Sequence, residues 1–242
     1  MVTLSVNVNK IATVRNSRGG ALPSVVAAAD VCLRAGAPGI TVHPREDARH
    51  ITAADTKEVG ALVAAWPGDA EFNIEGDPRP DFLELVHEVH PAQCTLVPVQ
   101  PGEITSQAGW TENAPAIVTD VVRRLRADGI RVSLFVEPDE RAIRWAAATG
   151  AHRIELYTEP FARAFERGDG PASFGVYSRA ARLAHELGLG VNAGHDLDLS
   201  NLVLFRTLPH LDEVSIGHAL VSHALFVGLE RSVREYLAVL SS

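Results

Sequence analysis

The chain has 242 residues, of which 46% are hydrophobic and 21% are charged, a composition typical of a globular protein with a large core. The formal net charge of -8 argues against a nucleic-acid-binding protein, which would need basic residues to neutralise phosphates. No segment reaches the ~18 consecutive apolar residues of a transmembrane helix, and the N-terminal segment lacks signal-peptide features. We therefore expect a cytoplasmic protein with no membrane partner.

Short apolar segments recur along the whole chain and predict eight β-strands. In chain order, they cover residues 3–8, 39–43, 71–75, 93–98, 131–137, 153–158, 190–195 and 213–218. The segments between them are rich in Ala and Leu, and their apolar residues recur near the helical period of about 3.6. Several of these segments end in Gly, as helices commonly do.

Strands that alternate with helices predict parallel strands joined by right-handed crossovers. Eight such units fit a (β/α)8 TIM barrel, a single domain over residues 1–242, with branched strand residues filling its interior. An open, doubly wound sheet is the alternative, but the turn after the first strand lacks a GxGxxG fingerprint. The less regular segments 98–114 and 158–174 are interpreted as loops on one face.

Polar and ionisable residues are concentrated where the predicted strands end. In chain order, they are Asn7, Asn9, His43, Arg45, Glu75, Glu137, Asp139, Glu155, His195 and His218. The carboxyl ends of all barrel strands meet on one face, where the loops that follow them build the active site. One His or Glu at a strand end often has a structural role, but its repetition at equivalent positions predicts a functional site.

Glu155 lies between Ile154 and Leu156, so its side chain points to the face opposite theirs. If that face is the barrel interior, the carboxylate needs a partner there, and its pKa is expected to be raised.

Two groups of residues could bind anions. Arg15 and Arg18, expected in a loop after the first strand, and Arg45, after the second, could hold phosphate through their planar guanidinium groups. Gly217 and His218 precede a helix expected to begin near Ala219, and backbone N–H groups at a helix N-terminus attract anions. The sequence thus offers one basic anion site and one made of backbone.

Metal binding is a competing use of the histidines. His87 and His90 are three residues apart at a predicted helix end, but an HExxH motif is absent and no acidic ligand is obviously near them. Cys32 and Cys94 lie in apolar surroundings without CxxC pairing, which favours two buried thiols over a disulfide or a zinc ribbon. We therefore predict no metal site.

The motifs of this chain closely resemble those of the pyridoxine 5'-phosphate synthase family, over essentially its whole length. The most specific are TVHPREDARHI (41–51), and NAGH (192–195) followed by IGHA (216–219). The resemblance implies condensation of 1-deoxy-D-xylulose 5-phosphate with 3-amino-2-oxopropyl phosphate to pyridoxine 5'-phosphate, inorganic phosphate and water. It also implies a barrel with added helices, a homo-octamer assembled from dimers, and neither a metal nor an organic cofactor.

The resemblance further implies roles for individual residues. His43, Glu75 and His195 match the family's acid/base groups, and Glu155 matches a residue that stabilises charged intermediates. The matching ligand-binding positions are Asn7, Asn9, Lys10, Arg18, Arg45, His50, Thr105, Asp196, Gly217 and His218. Both substrates are phosphorylated small molecules that repel each other, so two separated anion sites are expected.

The chain departs from the family pattern at three places, one of which is the segment VQPGE (99–103) after the fourth strand, where charged residues are common in the family. Asn9 and Lys10 stand where Asp and His are common, and Tyr157 and Glu159 stand where a His-Thr-Gly segment has His and Gly. These departures leave the reaction type intact and affect the details of substrate contacts. Two alternatives to the synthase also stay open. Lys10 could form a Schiff base, as in barrel aldolases that act on phosphorylated sugars. The chain could also be a non-catalytic paralogue that only binds phosphometabolites.

Overall fold

The computed structural model of the protein describes residues 2–99 and 108–241. Eight parallel strands close into one barrel in chain order, with the last strand paired to the first. The strands are β1 (Thr3–Asn7), β2 (Gly39–Val42), β3 (Glu71–Gly76), β4 (Gln93–Leu96), β5 (Arg131–Val136), β6 (Arg153–Tyr157), β7 (Gly190–Gly194) and β8 (Leu211–Ile216). The predicted TIM barrel is confirmed, and the open-sheet alternative is wrong.

Helices follow the strands around the barrel. They are α1 (Asn9–Asn16), α2 (Val25–Arg34), α3 (Ala53–Ala64), α4 (Pro80–Val89), α5 (Ala116–Ala127), α6 (Glu140–Thr149), α7 (Glu159–Glu166), α8 (Gly170–Glu186), α9 (Leu202–Phe205), α10 (His218–Val227) and α11 (Leu229–Ser241). None of the helices within the described ranges combines the length and the apolar character needed to span a bilayer.

Side-chain caps begin several of these helices. The Thr52 hydroxyl accepts a hydrogen bond from the Asp55 amide at 3.1 Å, while the Asp55 carboxylate accepts one from the Thr52 amide at 2.9 Å, forming a capping box on α3. Asp139 caps α6 by accepting hydrogen bonds from two backbone amides of the first turn. This strand-end carboxylate therefore begins a helix and is not among the residues that line the cavity at the barrel mouth.

The barrel interior is polar, so the expectation that branched residues fill it is wrong. Branched strand residues such as Val6 and Ile40 are fully buried in the apolar core that includes the helices. Alternate residues face inward and bond to one another: Ser5 Oγ lies 2.6 Å from Thr41 Oγ1. The other buried polar residues at these positions include Asn73, Gln93, Thr95, Asn192 and Glu213. Because these polar groups have partners, their burial costs less free energy than it otherwise would.

Segment 158–174 is not a loop, contrary to the sequence-based expectation. It contains α7 and the first turns of α8, separated by a short connection around Gly168. A Pro occupies the first turn of each helix, a position that tolerates Pro because the missing N–H would have no helical partner there. Phe161 of α7 is fully buried and packs against Phe205, with ring centroids 4.9 Å apart.

Candidate active site

A cavity of about 710 Å³ opens at the carboxyl ends of the strands. It is lined by strand-end residues and by the first residues of α1, α7 and α10. A second groove, of about 610 Å³, lies between α4 and α5, contains no strand end and is mostly apolar. Because active sites of TIM barrels lie at the carboxyl ends of the strands, the first cavity is the candidate site.

Most residues predicted for the site line this one cavity. They are Asn7, Asn9, Lys10, His43, Arg45, His50, Glu75, Glu155, His195, Asp196, Gly217 and His218. Arg18 is exposed just after α1 and does not line the cavity. Thr105 lies outside the described residues.

Two asparagines from the first βα unit hold His43 in place. The His43 amide donates a hydrogen bond to Asn9 Oδ1 at 2.9 Å, and the Asn9 amide donates one to Asn7 Oδ1 at 3.0 Å. Asn7 Nδ2 also donates to Glu75 Oε2 at 3.4 Å, and His43 Nδ1 lies 4.0 Å from the same oxygen. Three strand ends thus converge on one histidine and one carboxyl group.

Burial determines the protonation of Glu75 and His43. Burial, reinforced by the Glu213 carboxylate, raises the pKa of Glu75 to about 8. Burial, reinforced by His50 and Arg45, holds the pKa of His43 well below its usual value. At neutral pH, Glu75 is therefore protonated and His43 is neutral. Their contact is between a neutral acid and a neutral base and is not an ion pair.

Glu155 points into the barrel, as its position between Ile154 and Leu156 predicts. Its side chain is nearly fully buried and lines the cavity floor. Burial raises its pKa well above the usual range, and the carboxylates of Glu75 and Glu213 act in the same direction. Gly194 lies on the neighbouring strand β7, and a Cβ atom there would collide with the Glu155 carboxyl group.

Aromatic rings surround His195 at the end of β7. Its imidazole lies 4.9 Å from the Phe135 ring and 5.5 Å from the Tyr157 ring, measured between centroids. Burial lowers the pKa of His195, while the carboxylates of Asp196 and Glu159 act in the opposite direction. The balance favours a neutral imidazole at neutral pH.

The basic side of the cavity differs from the sequence-based expectation. Arg15 lies in α1, not in a loop, and its guanidinium binds the Asp55 carboxylate at 2.5 and 2.9 Å. Arg15 thus anchors α1 to α3, because the capping box of α3 supplies a buried carboxylate for it. Arg163 of α7 also lines the cavity. Among the predicted residues, the cations that line it are Arg45, with a side chain 5% exposed, and Lys10. His50 lies beside them, and burial lowers its pKa to about 4.

The predicted backbone anion site lies at the start of α10, one residue earlier than expected. Gly217 caps α10, and Gly217, His218 and Ala219 all line the cavity. Gly217 has a φ of -121°, so a left-handed backbone is not why glycine stands here. A Cβ atom at this position would lie 3.1 Å from Asn7 Cβ and from the Asn7 carbonyl oxygen. The close approach to β1 therefore favours glycine at this position, because any side chain would force β1 and the start of α10 apart by a few tenths of an ångström.

Sequence reasoning missed several residues that line the cavity. They are Val97, Phe135, Arg163, Leu197, Ser215, Ile216 and Ala219. Tyr157 and Glu159 were identified only as departures from the family pattern, but the Tyr157 hydroxyl donates to Glu159 at the cavity wall. The alternation of strand residues could have found Tyr157, which is two residues from Glu155 and therefore on the same face.

His87 and His90 do not converge on a metal position. His87 Nδ1 lies 3.1 Å from Asp128 Oδ2, and His90 Nε2 lies 2.9 Å from the Asp128 carbonyl oxygen. Over residues 2–99 and 108–241, no three His, Cys, Asp or Glu side chains are arranged to hold a metal ion.

A comparison with solved structures relates this fold to other TIM barrels. Phosphoribosylanthranilate isomerase from Thermotoga maritima matches with a TM-score of 0.63 and 13% identity, over 100% of this chain and 99% of that one. At this identity, the likeness concerns the fold alone.

Sequence comparisons identify the family. The pyridoxine 5'-phosphate synthase of Christiangramia forsetii is 52% identical over 99% of this chain and 100% of its own length. That of Bacteroides fragilis is 51% identical over 98% of both chains. These relatives do not favour the aldolase or the non-catalytic alternative. The family model described as pyridoxal phosphate biosynthesis protein PdxJ matches residues 4–242. The chain therefore belongs to the PdxJ family.

Proposed function

We propose that this protein is a pyridoxine 5'-phosphate synthase, which condenses 1-deoxy-D-xylulose 5-phosphate with 3-amino-2-oxopropyl phosphate. The observation that carries the proposal is that His43, Glu75 and His195 line one cavity. Forming the ring requires repeated proton transfers, and each needs a group that exchanges protons near neutral pH. The relatives that share about half of their residues with this chain carry this name.

The chemistry assigns a task to each group. The amine adds to the ketone and water leaves as an imine forms; phosphate is then eliminated, and an aldol-like closure with a further dehydration makes the ring aromatic. Glu75, protonated at neutral pH, donates a proton to a leaving oxygen, while neutral His43 and His195 accept protons. Among the described residues, His43 Nε2 has no hydrogen-bond partner although it is buried, which makes it available to a substrate atom.

Two anion-binding positions serve the two phosphorylated substrates in this proposal. One is the N-terminus of α10 at Gly217 and His218, where backbone amides and the helix dipole attract phosphate. The other is formed by Arg45 and Lys10, with His50 beside them as a neutral hydrogen-bonding group. Separate positions overcome the repulsion between the substrates and hold them for reaction.

Arg45→Ala is expected to raise the KM of one substrate by about tenfold or more, and Arg45→Lys should not restore it. A hydrogen bond to a charged group contributes about 1.5–3 kcal/mol, and a lysine ammonium cannot reproduce the planar, two-point contact of arginine. Steady-state kinetics with each substrate varied in turn measure the effect. Arg123→Lys, on the exposed face of α5, is the matched control. Wild-type KM values in Arg45→Lys would mean that charge alone matters there.

The direct test is to incubate the purified protein with both substrates and to follow pyridoxine 5'-phosphate by its absorbance and inorganic phosphate by a colorimetric assay. We expect both products in equal amounts.

Borohydride trapping tests the aldolase alternative. Borohydride added during turnover should leave Lys10 unmodified, because no step uses a lysine Schiff base. A borohydride-stable adduct on Lys10, or release of phosphate without the vitamin, would contradict the proposal.

We also propose that residues 1–242 form one domain, that the protein acts in the cytoplasm, and that it assembles as a homo-octamer, a tetramer of dimers. Exposed apolar side chains near the end of α10 support assembly: Leu225 is 75% exposed and Phe226 is 89% exposed. Sedimentation velocity at micromolar concentration measures the assembly. A monomer under these conditions would contradict the octamer.

A further inference from the structure

The backbone that carries His195 has an unusual conformation. His195 and Asp196 have φ angles of 83° and 56°, in the left-handed region that side chains other than glycine rarely occupy. They are the only consecutive non-glycine pair with positive φ among the described residues. Such conformations persist only where the surrounding structure imposes them, and they often occur at functional sites.

Thr158, at the end of β6, holds this turn. Its side chain is fully buried, and its hydroxyl oxygen lies 2.5 Å from the Gly194 carbonyl oxygen and within hydrogen-bonding distance of the His195 carbonyl oxygen. The hydroxyl has one proton, which it can donate to either carbonyl. The Thr158 amide supplies a second donor, to the Gly194 carbonyl at 3.0 Å. Both carbonyls of the turn therefore face one threonine.

Contacts on either side leave the turn little freedom. Asn201 Nδ2 donates a hydrogen bond to the Asp196 carbonyl at 3.0 Å. Tyr157, the chain neighbour of Thr158, packs its ring against His195. The same strand end thus contacts both the backbone and the ring of the histidine.

We propose that Thr158 is a positioning residue for His195, and that its hydroxyl holds the left-handed turn that directs the imidazole into the cavity. The proposal rests on the acid/base role of His195 in the proposed function. An active-site group displaced by about 1 Å can lose on the order of 100-fold in rate, so the hydroxyl should affect turnover although it does not line the cavity.

The test compares three variants. Thr158→Val removes the hydroxyl with little change of volume, and Thr158→Ser keeps it. Thr56→Val is the matched control, because Thr56 of α3 is equally buried, its hydroxyl donates a hydrogen bond to the Thr52 carbonyl, and it does not line the cavity. We expect kcat to fall about 10- to 100-fold in Thr158→Val with KM within about threefold, and to return to within about threefold of wild type in Thr158→Ser.

A second measurement does not depend on turnover. The charged groups near His195 are Asp196 beside it, Glu159 on α7 and Lys10 on α1. An NMR titration of labelled histidines, with the His195 signal identified by its loss in His195→Asn, should give a pKa closer to the usual value in Thr158→Val. The reason is that the released ring gains water. The Ser and Thr56→Val variants should titrate as wild type.

The outcomes separate this proposal from the function on which it rests. The positioning role would be overturned if Thr158→Val had the kcat and the His195 pKa of the wild type. It would also be overturned if kcat fell equally in Thr158→Val and Thr158→Ser. If the wild type makes no pyridoxine 5'-phosphate while the pKa of His195 still changes in Thr158→Val, the proposed function fails and the positioning role stands. If Thr158→Val does not fold, Thr158→Ala replaces it with the same expectations.

Discussion

Glu75→Gln is expected to lower kcat by at least about 100-fold, because general acid/base groups contribute about 10²–10⁴-fold to enzymatic rates. The amide keeps the size of the carboxyl group and can still accept the hydrogen bond from Asn7, but it cannot deliver a proton. Steady-state turnover of the purified variant measures the effect. Glu84→Gln, an exposed change on α4, should turn over as wild type. Near-normal turnover in Glu75→Gln would remove Glu75 from the mechanism.

The same substitution should change how stability depends on pH. The pKa of Glu75 is raised to about 8 in the folded protein, against 4.5 ordinarily. Between these values, the unfolded chain has lost this proton and the folded chain retains it, so this group's contribution to the free energy of unfolding decreases as pH rises. Glutamine cannot ionise, so the melting temperature of Glu75→Gln, relative to wild type, should increase from pH 5 to pH 8. A constant difference would mean that Glu75 is ionised throughout.

Two kinds of sequence signal predict most of this fold. Eight short apolar segments separated by helical periodicity predict the strands, and every strand lies within or close to its expected range. The interior of the barrel was harder to predict. Ser5, Thr41 and Asn73 alternate with aliphatic residues, but alternation does not say which face is the interior. The aliphatic face packs against helices, and the polar face is buried because its groups bond across strands.

The rule that active sites lie at strand ends predicts most of the candidate site, because a barrel brings all its strand ends together. The rule fails where a side chain after a strand end binds another residue of the protein and does not reach the cavity. Arg15 follows a strand end but binds Asp55, a pairing of residues 40 positions apart that no local pattern reveals. Thr158 was not identified because its importance depends on the backbone angles of His195, which the sequence does not display.

Three buried carboxyl groups give the site its electrostatic character. Glu75, Glu155 and Glu213 all face the barrel interior, and burial raises the pKa of each. Ionising one makes ionisation of the others less favourable, so the barrel interior favours the protonated, neutral form of each carboxyl group. Arg153 is the cation that most opposes this effect at Glu213. A reaction that repeatedly protonates leaving oxygens needs carboxyl groups that are still protonated near neutral pH.

Gly217→Val is expected to raise the KM of one phosphorylated substrate by about tenfold or more, with a smaller effect on kcat. The first atom of the new side chain would lie 3.1 Å from Asn7, and its methyl groups would enter the space between β1 and the amides at the start of α10. Losing one hydrogen bond to a charged group costs about 1.5–3 kcal/mol, which corresponds to a tenfold or larger change in affinity. Isothermal titration calorimetry with each substrate, alongside kinetics, measures the loss.

Gly175→Val is the matched control for this substitution. Gly175 lies in α8, where a Cβ atom would make only an ordinary contact, 3.7 Å from the Arg179 side chain. Its substrate binding and kinetics should equal those of the wild type. Oligomer assembly should be unchanged in both variants, because Gly217 lines the cavity at the start of α10 and Phe226 lies at the opposite end of that helix. If Gly217→Val bound both substrates as tightly as wild type, the phosphate position at α10 would have to be abandoned, since no anion could reach amides covered by a valine side chain.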